Sequence, residues 1–564
     1  MNLFDPQSIP FSMNGSFLAI SWLREDQAYW IRSLRGGDEN TDLGRLLRIK
    51  IQNPKDGFFE PDIQLTTDCL TFGRGEHYVR FVFANRNCIL VEGQGLKLVL
   101  ELGTGKYNYM QIEGPTAHIC QARQDMQCNI TISTGTASVE GEWDGLTATG
   151  AKLGLENHEK PWAAQLDFYR IRPANEVMST FAETQKQRQS ELAKFRKTLP
   201  KVAVGFANGN ALASYILWMN YVERGGALTR DAIYMSKNWM TNIWSWDHCF
   251  VALAFAEHDP QAAFEQMEVI FNAQDDSGRL PDFINDRFAY WAFTKPPVHG
   301  WTFGRLRKAA PAFYTTDRAA KVLKWLSSQV SNWLDGPNYE GLPAIRHGND
   351  GGWDNATQFL SGAAVATPDL ATFVILQLEE IATLHGLIGQ ETEATIAWQR
   401  AELILRRLNE LLWDGARFRA RNTKTGAFVR EGDSLLGTIP LLLGDRLPHA
   451  TRDVLIAALA DPQIFLSSHG LVTEALGSPY HTYNGYWRGP IWAPTTMLMV
   501  DALDHCGRSD LADEIAQRFC AMANQSGMAE NFDPFSGKGL HDPAFAWTSA
   551  VFLVLAQRPA MQNT

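Results

Sequence analysis

The period of the hydrophobic pattern changes part-way along the chain. Up to about residue 172, apolar residues come in short, partly alternating runs rich in β-branched and aromatic side chains. Ser16–Trp22, Leu46–Ile51, His77–Phe83, Leu96–Glu101, Cys128–Ser133 and Gln165–Ile171 are the clearest. Clusters of Gly, Asn and Asp separate them at hairpin-like spacings, which predicts a sheet-on-sheet sandwich. Residues 175–197 then carry good helix formers without Gly or Pro, bracketed by Pro173 and Pro200. This segment is mostly polar, with Val177, Phe181, Leu192 and Phe195 as its anchors, and reads as a helical linker.

From about residue 205 the spacing becomes helical. Ala211–Glu223, Asp247–His258, Ala262–Phe271, Gly304–Ala310, Asp317–Leu334, Leu370–Leu387 and Thr392–Leu412 carry the 3.6-residue period. So do Leu435–Leu443, Arg452–Leu459, Pro494–His505, Ser509–Asn524 and Pro543–Leu555, with no strand signal beyond one hairpin. About twelve helices in six consecutive pairs would close into a toroid with alternating inner and outer rings. No sequence repeat is visible, and an irregular bundle would satisfy the same count. The expected organisation is a β-sandwich over 1–172, a linker over 173–204 and a helical domain over 205–564.

Composition narrows the function. The 564 residues are 45% apolar and 20% charged, as in a folded, soluble protein. A net charge of −11 opposes nucleic-acid binding, which needs a basic face. No apolar run reaches roughly 18 residues, so no membrane span is expected. The first residues lack a signal-peptide pattern, and seven scattered cysteines form no disulfide framework. A reducing cytoplasm is the expected compartment. No zinc-type spacing occurs, so neither metal nor cofactor is expected. The oligomeric state is not readable.

Tryptophan changes the picture more. Of 18, 14 lie after residue 200, many in loops rich in Gly, Pro, Asp, Asn or Arg. Aromatic faces pack on the C–H faces of sugar rings, so such loops beside carboxylates suggest a carbohydrate site. Arg346–Phe359 holds glycines at 348, 351 and 352 leading into Trp353-Asp354-Asn355, and such a loop between helices suits chemistry. Asp354 alone could equally cap the helix that follows. A second acid loop, Met528–Gly537 with Glu530, shifts the balance towards a pair. Cleaving an acetal with inversion needs a carboxylic acid for the leaving oxygen and an opposed carboxylate to activate water. The two groups lie about 6.5–9.5 Å apart. A wall such as Trp353 would raise the acid's pKa, while Asn531 and Asp533 give the base polar company.

The loops Trp244-Ser-Trp246-Asp247, Gly278-Arg-Leu-Pro-Asp282, Lys295-Pro-Pro-Val-His299-Gly-Trp301, Gly352-Trp353-Asp354-Asn355, Tyr486-Trp487-Arg488 and Glu530-Asn-Phe-Asp533 occur in that order. The ordered set resembles glycoside hydrolase family 63 and the related trehalase and glucoamylase families, over roughly residues 205–557. The resemblance implies an all-α (α/α)6 barrel catalytic domain preceded by an antiparallel β-sandwich, and inverting hydrolysis of an α-glycoside. Trp-rich loops with the insertions around Trp291–Trp301, long enough to cover the mouth, add the expectation of exo-acting release of a terminal α-linked glucose or mannose. The resemblance makes Asp354 the general acid and Glu530 the general base. Trp246, Asp247, Trp353, Trp487, Arg488, Trp301, His299 and Trp547 are the expected sugar-binding residues, with a small carbohydrate as partner. Relatives often end the acid loop in Arg. This chain has Ala356-Thr-Gln-Phe359, which loosens any transfer of substrate identity.

Other positions have plainer readings. Asp247 could instead cap its helix, and Asp282 and Asp286 read as turn residues or hydroxyl ligands. His299, His347, His469 and His541 could line the mouth or be structural. Asp533-Pro534 and Asp542-Pro543 read as turns, Glu379-Glu380 as a solvated helix face, and Gly36–Glu39 with Asp42 as a solvated turn. Rival functions are a trehalase-like hydrolase, an epimerase or lyase using His or Tyr, and a non-catalytic carbohydrate-binding protein.

Overall fold

The computed structural model describes residues 4–40, 42–55, 57, 59–157, 160–173, 179–362 and 364–563. Its first part is two antiparallel sheets packed on one apolar core. One sheet has six strands in the spatial order Leu18–Leu23, Ala28–Ser33, Arg45–Gln52, Lys97–Leu102, Ala148–Glu156, Thr136–Trp143. The other has eight, in the order Asp62–Leu65, Leu70–Arg74, His77–Asn85, Cys88–Gln94, Trp162–Tyr169, Met126–Thr134, Thr116–Gln121, Tyr109–Glu113. Trp162–Tyr169 alternates buried and part-buried residues along its whole length, the period-2 signature of a half-buried strand. Tyr29 of the first sheet meets Phe72 of the second edge to face at 5.1 Å.

Helix α1 (Phe181–Phe195) starts with a capping box between Thr180 and Glu183 and lies along the second sheet. The anchor expected at Val177 lies outside the described residues. Then follow α2 (Ala207–Asn220), α3 (Asp247–Leu253), α4 (Pro260–Phe271), α5 (His299–Ala309), α6 (Thr316–Leu334) and α7 (Pro368–Leu387). The last are α8 (Glu391–Leu412), α9 (His449–Ala460), α10 (Ala493–His505), α11 (Ser509–Ser526) and α12 (Ala546–Ala556). Where a helix was expected over Leu435–Leu443 there is a tighter 3-10 segment, Leu435–Arg446. Pro440 removes a helical N–H inside it, and Gly444 breaks it at φ 54°, ψ −127°.

Packing order shows how these segments are arranged. α3 packs on α5, α5 on α7, α7 on the 3-10 segment, that segment on α10, α10 on α12, and α12 back on α3. The circuit is closed. α4, α6, α8, α9, α11 and α2 pack against its outside. Composition follows position. In α12 every residue except Val554 is buried, as an enclosed helix requires. Outer α6 buries Ala319, Val322, Leu326, Val330 and Trp333, a single stripe. α7 is long and apolar enough to cross a membrane by composition alone, but 67% of that stretch is buried inside the protein.

Two expectations need correction. Five small sheets, mostly of two-residue strands, join the loops at the helix ends; such strands are too short to leave a pattern in sequence. Glu380 is no solvated face: it is 6% exposed and takes both 2.8 Å bonds of the Arg307 guanidinium.

The chain ahead of the first strand packs on the helical region. Lys237, fully buried, donates from Nζ to Ser12 Oγ (3.0 Å) and to the carbonyls of Met13 (3.2 Å), Ser16 (2.6 Å) and Tyr221 (3.0 Å).

Candidate active site

Three of the small sheets place the acid loops at one end of the helical circuit. In the first, Ile243–Trp244 pairs with Phe283–Ile284, which brings Trp246-Asp247 beside Asp282; Ser245 N–H donates to the Asp282 carbonyl at 2.9 Å. In the second, Leu342–Ile345 pairs with Val365–Ala366 and spans the base of the Asp354 loop. In the third, Ile491–Trp492 pairs with Asn531–Phe532, joining the Trp487-Arg488 turn to Glu530.

The Asp354 loop lies on Trp246 through Gly352 (φ 74°), where a Cβ would fall 2.8 Å from the indole. Only glycine fits there. Asn355 clamps the neighbouring turn: its amide donates to the Gly485 carbonyl (3.0 Å) and accepts from Trp487 N–H (3.0 Å), and its carbonyl accepts from Arg488 Nε. The Asp354 side chain is 37% exposed, with Oδ1 4.0 Å from Lys295 Nζ. Desolvation raises its pKa while the Lys295 charge pulls it down.

Glu530 sits differently. It is 4% exposed, and its N–H donates to the Asp542 carbonyl at 2.7 Å. Tyr486 Oη donates to Glu530 Oε1 at 3.1 Å. Burial, then the nearby Asp542 charge, pushes its pKa up to about 8, against the lowering effect of the Tyr486 bond. Asp354 adds to the rise. Asp247 opens α3 but no side-chain bond caps that helix; its carboxyl is buried, held well above the usual range first by desolvation, and senses Glu530.

Beneath the carboxyls lies a floor of indoles. Trp487 stacks on Trp492 at 3.8 Å and on Trp353 at 4.9 Å; Trp246 and Trp547 meet edge to face at 5.7 Å. All five rings are at most 3% exposed. His299 and Trp301 lie elsewhere. His299 is fully buried between the Ser245 carbonyl (2.8 Å) and Gln329 (3.0 Å), and burial lowers its pKa to about 4. Trp301 donates to Asp501 at 2.6 Å and meets Phe250, whose ring in turn meets Trp246 at 5.7 Å. Arg488 is part-buried, and its Nε donates to the Asn355 carbonyl. Among the described residues no group of His, Cys, Asp or Glu is placed to hold a metal.

The sequence signature of the mannosylglycerate hydrolase MGH1-like glycoside hydrolase domain matches residues 240–548, more than half the chain. The chain belongs to this glycoside hydrolase family. A mannosylglycerate hydrolase from Rubrobacter radiotolerans is 25% identical over 410 residues, 55% of this chain and 89% of that protein. The structure is similar to the family 63 mannosylglycerate hydrolase of Thermus thermophilus solved with glucose (TM-score 0.53, 18% identity, 61% of this chain, 98% of that one). A bacterial glucoamylase solved with acarbose matches 99% of this chain and 94% of its own (TM-score 0.69, 11% identity), β-rich part included.

Against this family background, several residues gain a place that the sequence did not suggest. Lys295, 5% exposed, bonds the Asn349 carbonyl (3.0 Å) and side chain and lies 3.1 Å from Asp282 Oδ1. It ties the Asp282 loop to the Asp354 loop. Asp542 is not simply a turn former: fully buried, it accepts from Ser236 (2.9 Å) and Asn238 (3.1 Å) behind Glu530. Asp286 is spent on the Arg35 guanidinium (3.1 Å) and the Gly36 N–H (2.8 Å). Tyr486 and His541 both hold left-handed backbone at φ 61°, rare for side-chain-bearing residues, and their rings meet at 5.4 Å beside Glu530. The run Tyr486-Trp487-Arg488 was visible in sequence; a left-handed φ at its tyrosine was not.

Proposed function

We propose that this protein is an inverting, exo-acting α-glycoside hydrolase on an (α/α)6 barrel, releasing a terminal glucose or mannose from a small sugar conjugate. The closed circuit of six packed segments supports the barrel reading, with residues 205–564 as catalytic domain behind the 1–172 sandwich. One observation carries the chemistry. Asp354 and Glu530, on loops held by different sheets, lie over one indole floor, close enough that the Asp354 charge raises the Glu530 pKa, with unlike neighbours.

In this mechanism protonated Asp354 gives its proton to the glycosidic oxygen as that C–O bond breaks. Ionised Glu530 takes a proton from water, whose oxygen bonds to the anomeric carbon from the opposite face. Asp354 ends ionised and Glu530 protonated, and solvent returns the proton. Asp247, Trp246, Trp353, Trp487 and Trp547 surround the sugar, and Arg488 and Asn355 keep the turn closed. The family's glycerate conjugates make glucosylglycerate and mannosylglycerate the first substrates to try. Proton NMR in the first minutes should show the β-sugar from an α-linked substrate. Initial α-sugar would mean a covalent intermediate and would remove Glu530 from its role.

The high pKa of Glu530 favours a second reading, in which the two acids exchange roles. A glycosyl fluoride separates them, because fluoride leaves without a proton. The variant that still hydrolyses the fluoride lacks the acid, and the variant that does not lacks the base.

A further inference from the structure

Three residues after Asp354 the acid loop comes up against a cavity. Thr357 and Gln358 line it, and its other walls include Phe418, Gly432, Asp433 and Leu455; its volume is about 340 Å³. A segment that borders a void forfeits the contacts that would fix it there, so its position depends on the bonds it makes.

One side chain supplies them. Glu474, fully buried, accepts at Oε2 from the Thr357 hydroxyl (2.8 Å) and at Oε1 from the Asp433 N–H (2.7 Å) and the Ser478 hydroxyl. Its own carbonyl accepts from His481 Nδ1 at 2.8 Å. The neighbouring backbone crowds in: at Gly432 (φ 68°) a Cβ would fall 2.5 Å from both Glu474 Oε1 and Thr357 Oγ1. Ser478 and His481 begin the segment that ends in Tyr486-Trp487-Arg488. That segment closes on itself, with Thr482 N–H donating to the Arg488 carbonyl (2.9 Å) and Gly485 N–H to the Thr482 carbonyl (3.2 Å). Its Tyr486 hydroxyl donates to Glu530, and its Trp487 ring stacks on Trp353 beside Asp354. One carboxylate therefore grips both the loop that carries the proton donor and the turn that reaches the base. Asn355 ties the same two segments directly, and Glu474 adds the second point that stops the loop pivoting about the first.

We infer that Glu474 is a positioning residue for proton transfer: by holding Thr357 and Ser478 on one carboxylate, it fixes Asp354 against the leaving oxygen and at a set spacing from Glu530. Glu474 acts only through these partners. A displacement of about 1 Å at a reacting group can cost about 100-fold in rate. The inference rests on the hydrolase reading above, with Asp354 as proton donor.

The test puts two leaving groups on one sugar. Thr357→Val keeps the branched shape and deletes only the hydroxyl tie, whereas Glu474→Ala removes the whole pin. Glu474→Gln keeps the length, with an amide that can donate to the Thr357 hydroxyl while its oxygen still accepts from Asp433. Each is assayed on whichever of glucosylglycerate, mannosylglycerate and trehalose the wild type cleaves, and on the matching α-glycosyl fluoride. Thr357→Val and Glu474→Ala should lose about tenfold or more in kcat on the natural leaving group, with KM within about twofold, and Glu474→Gln should recover most of that loss. Fluoride hydrolysis, which needs no proton donor, should stay within about threefold in Thr357→Val. If Glu474→Ala does not fold, Thr357→Val and Glu474→Gln decide alone. Equal losses on both substrates, no loss in Thr357→Val, or a Glu474→Gln as poor as the alanine variant would each overturn the inference while leaving the hydrolase reading standing. Asp354→Asn, run alongside, isolates the assumption beneath: if it stays inactive on the fluoride, the assignment of the proton donor falls, and this inference with it.

Discussion

Asp354 and Glu530 are the same functional group in opposite settings. Asp354 stands on a glycine-rich loop, over a third exposed, with a lysine ammonium at 4.0 Å. Glu530 precedes a strand, almost fully buried, with a phenol as donor and the Asp542 charge behind it. A cation tunes one carboxyl and a neutral hydroxyl tunes the other. The difference shows how one indole floor can hold two acids that must carry one proton between them: a positive charge is supplied on one side and a negative one on the other, so the two cannot titrate alike.

The largest test removes each carboxyl without changing shape. Asp354→Asn and Glu530→Gln should each lose at least about 100-fold in turnover of a glycoside, since acid–base assistance contributes roughly 10²–10⁴-fold per group. On a glycosyl fluoride Asp354→Asn should recover and Glu530→Gln should not. Recovery by Glu530→Gln instead would invert the comparison.

Next come the tuning residues, read as pH profiles of kcat/KM. Lys295→Met removes the charge that favours ionised Asp354, so its pKa rises. The acid then stays protonated to higher pH, and the alkaline limb should move up. The same change leaves buried Asp282 without its ammonium, and loss of such a partner costs about 3–5 kcal/mol, visible in urea unfolding. Tyr486→Phe removes a donor to ionised Glu530, raising its pKa further. The base is then protonated at higher pH, and the acidic limb should move up with about a tenfold loss at neutral pH. If both variants shift the same limb, the division between cation and hydroxyl is wrong.

The smallest effect is on stability. Glu530 is raised from 4.5 to about 8, so between those values the folded state binds more protons than the unfolded one. Stability should therefore fall as pH rises through that window. Scanning calorimetry should find Glu530→Gln less pH-dependent than the wild type, and more stable than it at pH 8. A wild-type Tm that climbs from pH 6 to pH 8 with no difference in the variant would exclude a desolvated Glu530.

Much of this was readable in advance, and for physical reasons. Each acid loop is a contiguous run, so glycines beside Trp353-Asp354 and the Glu530-Asn531 pair announce themselves locally. The helices were readable because a period of 3.6 survives over ten or more residues, as in Thr316–Leu334. Eight sandwich strands, Ala28–Ser33 and Cys88–Gln94 among them, stood outside the six clearest runs. Strand identity depends on partners far along the chain more than on its own pattern. The same holds for Lys295 and Asp542. Their importance comes from contacts with residues 349 and 236, and no local spacing encodes those meetings. His299 and Trp301 show the converse. Their neighbours in sequence belong to a site loop, but the first turns of α5 rotate both side chains into the core.

Lys237 has a consequence for how the chain can be divided. Among the described residues its amine, whose pKa burial pushes well below the usual lysine value, faces oxygens and no carboxylate, and three of the four come from residues 12–16, at the far end of the sequence. Those residues act as a hydration shell that the protein carries with it. A gene fragment beginning at residue 205 would keep the buried amine and lose three of its four hydrogen-bond acceptors, at a cost of several kcal/mol. The helical region of this protein is thus not a portable cassette, and recombination that exchanged its sandwich would have to bring along a new solvent for one lysine.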